Sequence, residues 1–299
     1  FAVSPGAPRA LDSVGGAAAG LVSVLVALWF VLPAMGEVPG VVARQARSSV
    51  VGDFVEELAP EPPPSIRALR ELVTPTRFPQ VFDALTRGPD LGPSPATQPL
   101  TAAALADVRD STVNVESLAC GVRHEGSGFA VATDTVVTNA HVVAGSDRLR
   151  VRRPDGRVLA ARVVVFDDDR DLALLAVRGL GQDAIAVGTA LPPTAGAVIG
   201  YPGGQNSPRA VPVSIEAERT AVGRDIYGDD RTRRQVLFLA ARLRPGDSGA
   251  PVVNAGGRVV GVTFAIAPDR PATAYAVSDD ELRAVLSAPR GTGPGPCMR

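Results

Sequence analysis

Residues 244–251 read Arg-Pro-Gly-Asp-Ser-Gly-Ala-Pro, and the turn Gly246–Gly249 inside this stretch decides how the rest of the chain is interpreted. Glycine, aspartate and serine all favour turns, so the stretch alone is also consistent with an ordinary surface turn. A serine hydroxyl is a weak nucleophile until a neighbouring base takes its proton. Ser248 is therefore a candidate nucleophile, provided that a base and an orienting group occur elsewhere in the chain.

Two segments upstream supply these partners. His141 ends the stretch Thr-Asn-Ala-His, and Asp171 directly precedes the apolar run Leu-Ala-Leu-Leu. An imidazole, with an ordinary pKa of about 6.5, suits general-base catalysis near neutral pH, and a buried carboxylate fixes its tautomer. The order His, Asp, Ser is that of a chymotrypsin-type triad and differs from the order in α/β-hydrolases and subtilisins. We therefore predict a catalytic triad of His141, Asp171 and Ser248.

The neighbours of these residues refine the prediction. Glycine at position 246 allows a sharp turn in which the N–H groups of Gly246 and Ser248 point to one spot, which predicts the oxyanion hole. Residues 167–169 are three further aspartates. We interpret them as a solvated loop, because only Asp171 directly abuts the strand-like run.

From about residue 105 onward the sequence has the texture of β-structure. Twelve short β-branched segments separated by turns run to residue 277, and they predict a mainly β fold of two Greek-key β-barrels. Ser278 and Glu281 are spaced as in a capping box, so a short C-terminal helix is expected to close the domain. The catalytic domain is thus predicted at 105–299, with His141 and Asp171 on its first half and Ser248 on its second.

The N-terminal part of the sequence has a different character. Residues 17–35 carry no charge and, at ~1.5 Å per residue, a helix of this length would reach nearly ~30 Å, the thickness of a bilayer core. We predict a membrane-spanning helix; a signal peptide is the second interpretation and a buried core helix the third. Residues 37–104 are expected to form an amphipathic segment and a Pro-rich linker.

Charge and cysteine content limit the possible partners. The 30 basic and 31 acidic residues give a net charge of −1 without long runs of one sign, so no nucleic-acid partner is expected. Cys120 and Cys297 are the two cysteines; they fit one disulfide in an oxidising compartment, with two free thiols as the alternative. His124 near Cys120 makes a poor zinc site, and we expect neither a metal nor a cofactor.

The sequence resembles trypsin-like proteases of the HtrA type. The motifs that carry the resemblance are Gly126–Phe129, Thr138–Val142, Asp171–Leu175, Gly200–Gly203 and Gly246–Gly249. The span, the linker and the cysteine pair resemble the MarP-like acid-resistance proteases of actinobacteria, in which a CvpA-like membrane region precedes a periplasmic protease crossed by one disulfide. Residues 1–36 would then be the last span of a truncated membrane region.

The resemblance also implies a location, a role and a substrate pocket. The protease domain would face the periplasm or the cell exterior and process cell-envelope proteins under acid or oxidative stress. The implied pocket residues are Arg242, Phe264, Ala265, Ile266 and Tyr275. Ala265 and Ile266 favour a medium-sized apolar substrate side chain, whereas arginines at 242 and 244 would favour an acidic one unless they point to solvent.

Two other classes of function remain open at this point. A catalytically silent, membrane-tethered binding scaffold would keep the fold without turnover. An esterase or acyltransferase would use the same three residues, although the chain order and the β-texture differ from those of an α/β-hydrolase.

Overall fold

The computed structural model describes residues 91–267, 272–291 and 293–298. The predicted membrane span and most of the predicted linker lie outside these residues. Among the residues that are described, no helix is both long enough and apolar enough to cross a membrane.

The first half of the described chain is an antiparallel sheet with two short helices. Its elements are α1 (Ala102–Ser111), β1 (Thr112–Ala119), β2 (Val122–Ala132), β3 (Thr135–Thr138), α2 (Ala140–Val143), β4 (Ser146–Arg152), β5 (Val158–Ala160), β6 (Arg162–Asp167) and β7 (Leu172–Ala176). The seven strands lie in the order β5-β4-β1-β2-β3-β7-β6. Their β-branched residues suit a pleated surface, and one face buries a core that includes Val113, Val115, Val136 and Leu175.

The second half is a closed barrel. Its elements are β8 (Thr194–Gly200), a 3₁₀ turn (Pro202–Gly204), β9 (Arg209–Arg224), β10 (Arg231–Ala240), β11 (Pro251–Asn254), β12 (Val259–Ile266), β13 (Thr273–Ser278) and α3 (Asp279–Leu286). The strands close in the order β10-β13-β12-β11-β8-β9. The interior includes Val198, Val213, Leu237 and Val252.

Two backbone features tie the halves together. The connection between β7 and β8 touches both, because Ile185 N–H donates to the carbonyl of Ala130 at 2.9 Å and Gly188 N–H donates to that of Val259 at 2.7 Å. Residues 293–298, the C-terminal strap, return to the first half. There the Cys120–Cys297 disulfide is present, and it joins residues 177 positions apart.

The fold confirms the mainly β prediction and corrects it in three details. The first half is an open seven-stranded sheet in the described chain, whereas a second closed barrel was predicted. Residues 105–111 belong to α1, which was not predicted. The helix α3 begins after Ser278 as predicted, but the serine makes no capping hydrogen bond. The Glu281 carboxylate instead forms an ion pair with Arg170 and accepts a hydrogen bond from the Gln235 N–H of β10. These charge-assisted contacts take the place of the capping bond.

Candidate active site

His141 and Asp171 form a hydrogen-bonded pair at the edge of the first half. The Nδ1 atom of His141 lies 2.7 Å from Oδ2 of Asp171. Because a carboxylate accepts hydrogen bonds, Nδ1 carries the hydrogen and Nε2 is left as the acceptor. The aspartate side chain is fully buried and the histidine side chain is 11% exposed. The arrangement suits an imidazole that takes a proton on its outer nitrogen.

The backbone around Asp171 is bent so that its carboxylate reaches the histidine. Asp171 has a φ of +54°, in the left-handed region that few residues other than glycine adopt. Its Oδ1 accepts from the His141 N–H at 2.9 Å, and its carbonyl accepts from the Asn139 side-chain amide at 2.8 Å. These contacts fix both ends of the residue against the short helix α2.

Ser248 lies in a tight loop between β10 and β11. Gly246 has a φ of +96°, and a Cβ atom there would lie 2.5 Å from the carbonyl oxygen of Tyr201. Glycine is thus required for both conformation and space. Asp247 holds the loop from inside, since its Oδ2 accepts from the Arg244 N–H at 2.8 Å.

Asp247 is a buried carboxyl group. It is 2% exposed, and its Oδ1 has no hydrogen-bond partner among the described residues. Burial raises its pKa to about 6, opposed by the Arg244 N–H bond and by the charges of Arg209 and Arg244. The loop next to Ser248 therefore contains a group that titrates well above an ordinary aspartate.

The Gly203 amide orients the peptide that precedes Gly246. Gly203 N–H donates to the Pro245 carbonyl at 2.8 Å. In a trans peptide the C=O and N–H groups point to opposite sides. The Gly246 N–H therefore points away from Gly203, which leaves it available to an acceptor on the other side of the loop.

Ser127 joins the serine loop to the first half. This fully buried residue of β2 donates its hydroxyl hydrogen to the Gly246 carbonyl at 2.7 Å and accepts from the Tyr201 N–H at 2.8 Å. Its own N–H donates to the Ser248 carbonyl at 2.7 Å. One side chain and one amide thus fix the loop on both sides of Asp247.

The loop also touches the residues that lead into His141. A Cβ atom on Gly249 would lie 3.2 Å from the Asn139 backbone nitrogen and 2.6 Å from Oγ1 of Thr138. The structure therefore brings the Gly246–Gly249 turn against the segment that carries His141. The turn and this segment lie where the two halves meet.

The comparisons with known proteins agree with this architecture. Residues 126–262 match the family model described as the trypsin-like peptidase domain. The chain is 35% identical to serine protease Rv3671c of Mycobacterium tuberculosis (strain ATCC 25618 / H37Rv) over 308 aligned positions, which cover 97% of this chain and 76% of that protein. The chain belongs to the trypsin-like serine proteases.

Solved structures of related proteases have the same fold. The Rv3671c protease from M. tuberculosis in its active form matches 73% of this trypsin-like protease and all of that chain, with 34% identity and a TM-score of 0.64. The HtrA-type protease AlgW with tripeptide has a TM-score of 0.54 and 24% identity, over 62% of this chain and 60% of that one; this likeness concerns the fold. The resemblance stated from the sequence motifs is confirmed.

A small pocket of this trypsin-like protease opens beside Ser248. It is lined by Leu243, Arg244, Asp247, Ser248, Thr263, Phe264, Ala265 and Ile266. Three residues of the predicted pocket are thus in its lining. The other two lie elsewhere: Arg242 is exposed, and Tyr275 packs edge-to-face on Phe238 with ring centroids 5.4 Å apart.

Several residues near the site were not found from the sequence. One of them is His124, which lies close enough to His141 to feel its charge. Burial lowers the pKa of His124, and the His141 imidazole lowers it further. Ser127 lies inside the motif Gly126–Phe129, and this position was a signal that the residue matters. Its hydrogen bonds to the serine loop could not be predicted from the sequence. Arg234 sits on a polar-looking stretch of β10 and gave no signal, although it is fully buried.

Proposed function

We propose that this protein is an extracytoplasmic, membrane-anchored serine endopeptidase that uses His141, Asp171 and Ser248 as a catalytic triad. The observation that carries the proposal is the hydrogen-bonded His141–Asp171 pair beside the Gly246–Gly249 turn. In this mechanism the imidazole Nε2 takes the proton of the Ser248 hydroxyl as its oxygen attacks the scissile carbonyl. Asp171 holds the tautomer and stabilises the imidazolium.

The oxyanion of the tetrahedral intermediate would be stabilised by two backbone amides. The N–H groups of Gly246 and Ser248 are the donors, and the Gly203–Pro245 bond supports the required orientation of the first one. The imidazolium then gives its proton to the leaving amine, and an acyl-enzyme remains on Ser248. Water, activated by the same imidazole, hydrolyses the ester and restores the serine.

The pocket beside Ser248 supports an apolar side chain at the substrate position before the cut. Leu243 and Ala265 are buried, Ile266 is partly buried and the Phe264 ring is fully buried. Of the two arginines that would favour an acidic side chain, Arg242 lies outside the lining, and Arg244, which is part of the lining, is exposed. We propose peptides with Val, Leu or Ala at this position as the best substrates.

Labelling with a fluorophosphonate probe tests the mechanism. The wild-type protein is expected to react and to cleave peptides, because an activated serine attacks phosphorus as it attacks a carbonyl. Ser248→Ala is expected to lose both, by several orders of magnitude in kcat. Ser117→Ala, which removes a buried hydroxyl elsewhere, is the matched control. A silent scaffold would show no labelling of the wild type, and a variant keeping a tenth of its turnover would overturn the role of Ser248.

The proposed location has an independent test. The predicted span at 17–35 and the disulfide support a protease domain outside the cytoplasm, acting on envelope proteins under acid or oxidative stress. Added protease should degrade the domain in intact cells. A domain that is protected until lysis would contradict this topology, and a comparison of cleaved envelope proteins with and without the enzyme would identify the substrates.

A further inference from the structure

Arg234 is a charged side chain placed where charge is costly. It is 1% exposed, and it lies on β10 in the second half of the protein. Arginine is rarely fully buried unless it is paired, because removing a guanidinium from water costs several kcal/mol. The position therefore needs an explanation in terms of what the guanidinium contacts.

The contacts lead to the turn that precedes Asp171. Nε of Arg234 donates to the carbonyl of Asp169, and one terminal nitrogen donates to the carbonyl of Arg224 at 2.8 Å. The Thr232 hydroxyl donates to the same Asp169 carbonyl at 3.1 Å. The other terminal nitrogen of Arg234 has no hydrogen-bond partner among the described residues. Two side chains of β10 thus hold one carbonyl of the first half.

The charges around Arg234 also point to Asp171. Burial lowers the pKa of Arg234, and the largest opposing effect comes from the Asp171 carboxylate, followed by that of Asp169. Arginine nevertheless keeps its charge in proteins, because its ordinary pKa lies far above neutral pH. The buried cation is therefore close enough to the buried Asp171 carboxylate to interact with it electrostatically.

A second contact holds the same turn from the closing helix. Arg170, the residue between Asp169 and Asp171, forms an ion pair with Glu281 of α3, with 2.8 Å between Nε and Oε2. The other oxygen of Glu281 accepts from the Gln235 N–H of β10 at 2.7 Å. Gln235 of β10 and Glu281 at the start of α3 are thus part of the same support as Arg234.

The turn needs such support because its conformation is strained. A non-glycine residue with φ near +54°, as at Asp171, is strained and persists where the surroundings impose this conformation. Asn139 and His141 hold the residue from the first half. The contacts on the residues before it come from the second half.

We propose that Arg234, together with Thr232, is a positioning residue for Asp171. The second half carries the nucleophile and, through β10, also fixes the turn from which the aspartate orients His141. Arg234 acts through Asp171 and does not touch the substrate. This inference rests on the proposed function, because it takes Asp171 as the third member of the triad.

Kinetics of Arg234→Met test the inference, with Arg233→Met as the matched control. Arg233 is the neighbouring arginine of the same strand and is exposed. We expect kcat for a fluorogenic peptide to fall by roughly 10- to 100-fold in Arg234→Met with KM within about threefold, because orientation of the base affects the chemical step. Arg233→Met should keep wild-type kcat. Equal kcat values in the two variants would overturn the inference.

A double-substitution cycle separates positioning from general loss of stability. In an Asp171→Asn background, Arg234→Met is expected to lower the residual kcat by less than about threefold, since the residue through which it acts is gone. The same fold-loss in both backgrounds would mean that Arg234 does not act through Asp171. An inactive wild type would refute the proposed function itself, which is a different outcome.

Thr232→Val keeps the test decisive if Arg234→Met does not fold. This change removes one hydrogen bond to the Asp169 carbonyl and keeps the volume of the side chain. We expect a loss of several-fold in kcat in the otherwise wild-type protein and no further loss in Asp171→Asn. A variant with unchanged kcat, or with the same loss in both backgrounds, would overturn the inference.

Discussion

In the closed barrel of the second half, bonds within the barrel and bonds from Ser127 of the first half hold the Ser248 loop. In the open sheet of the first half, the segments that carry His141 and Asp171 are in addition held by side chains of the second half. In the barrel, Asp247 binds the Arg244 amide and Gly249 N–H donates to the Thr263 carbonyl at 2.8 Å. By contrast, the helix α2, which carries His141, is held from outside the sheet. Ala140 at its start and Ala144 just after its end pack against Ile226 of the second half and Met298 of the C-terminal strap.

The difference indicates where the active site is vulnerable. A closed barrel has hydrogen-bonded strands on all sides, so a loop between two of its strands starts and ends at fixed points. An open sheet leaves its connecting turns to be fixed by whatever packs on them. The geometry of the base should therefore depend on contacts between the halves more than the geometry of the nucleophile does.

The largest effect is expected at Asp171. Asp171→Asn should lower kcat by roughly 10⁴-fold, because the amide leaves the imidazole in the wrong tautomer. Asp169→Asn should be mild, since the structure uses the carbonyl of Asp169, and not its side chain, as an anchor. Steady-state hydrolysis of one peptide by both variants gives the ratio. Equal losses would mean that the aspartate of the triad has been assigned to the wrong residue.

The disulfide tests the contribution of the C-terminal strap. Replacing Cys120 and Cys297 by serine should lower the free energy of unfolding by about 2–5 kcal/mol. The strap also holds the chain just after α2, because Gly145 N–H donates to the Pro294 carbonyl at 2.9 Å. Losing the bridge should therefore disturb the position of His141, and kcat should fall as well. Denaturant titration and kinetics on the same preparation separate the two effects. Wild-type kcat in the double variant would limit the bridge to a stabilising role.

Asp247 predicts a pH dependence of stability with a defined sign. Its pKa is raised to about 6 in the folded protein against about 3.8 for the free group, so the folded state binds the proton more tightly. Its contribution is favourable below pH ~4 and is lost as pH rises through ~6. The stability of Asp247→Asn relative to wild type should thus rise by roughly 3 kcal/mol between pH 4 and pH 7.

Urea denaturation of both proteins across this pH range measures the difference directly. The Asn variant keeps a side-chain oxygen for the Arg244 amide while removing the titrating charge. Parallel stability curves would show that Asp247 has an ordinary pKa in the folded protein.

The smallest effect is expected at Ser127, whose hydroxyl donates to the Gly246 carbonyl from the first half. Ser127→Ala should lower kcat by about tenfold, or about 1.4 kcal/mol, with little change in KM, because the oxyanion donors shift and the pocket does not. Ser117→Ala is the control: its hydroxyl is buried without a hydrogen-bond partner among the described residues. Equal kcat in the two variants would place Ser127 outside the support of the loop.

The sequence predicted the local elements well because their signals are local. Each of the twelve predicted strand segments overlaps a strand of the structure; two of them end one residue beyond it, and the segment 158–165 breaks at Ala161 into β5 and β6. The triad order and the turn at Gly246 were readable because chemistry limits the residue types. The helix α1 was missed although Thr101 caps it through a bond from the Ala104 N–H, a signal that was present.

The supporting contacts could not be predicted, because they depend on which face of a strand a residue occupies and on what the other half places there. The segment 231–235 was not predicted as a strand, yet it belongs to β10, where Thr232 and Arg234 are buried and Arg231 and Arg233 are exposed. Glu281 fitted a capping box, and its contacts with Arg170 and with the Gln235 N–H explain why it turns away. Whether the first sheet stays open or closes into a barrel likewise depends on pairing between strands that are distant in the sequence.

The division of the site between the halves has a practical consequence. The connection at residues 177–193 separates a piece that carries His141 and Asp171 from a piece that carries Ser248, Arg234 and Glu281. A chain cut there would yield two fragments, neither of which contains a complete active site. Peptide cleavage by the mixture would therefore report the association of the fragments, and proteins fused to them could be tested for binding by the turnover they restore.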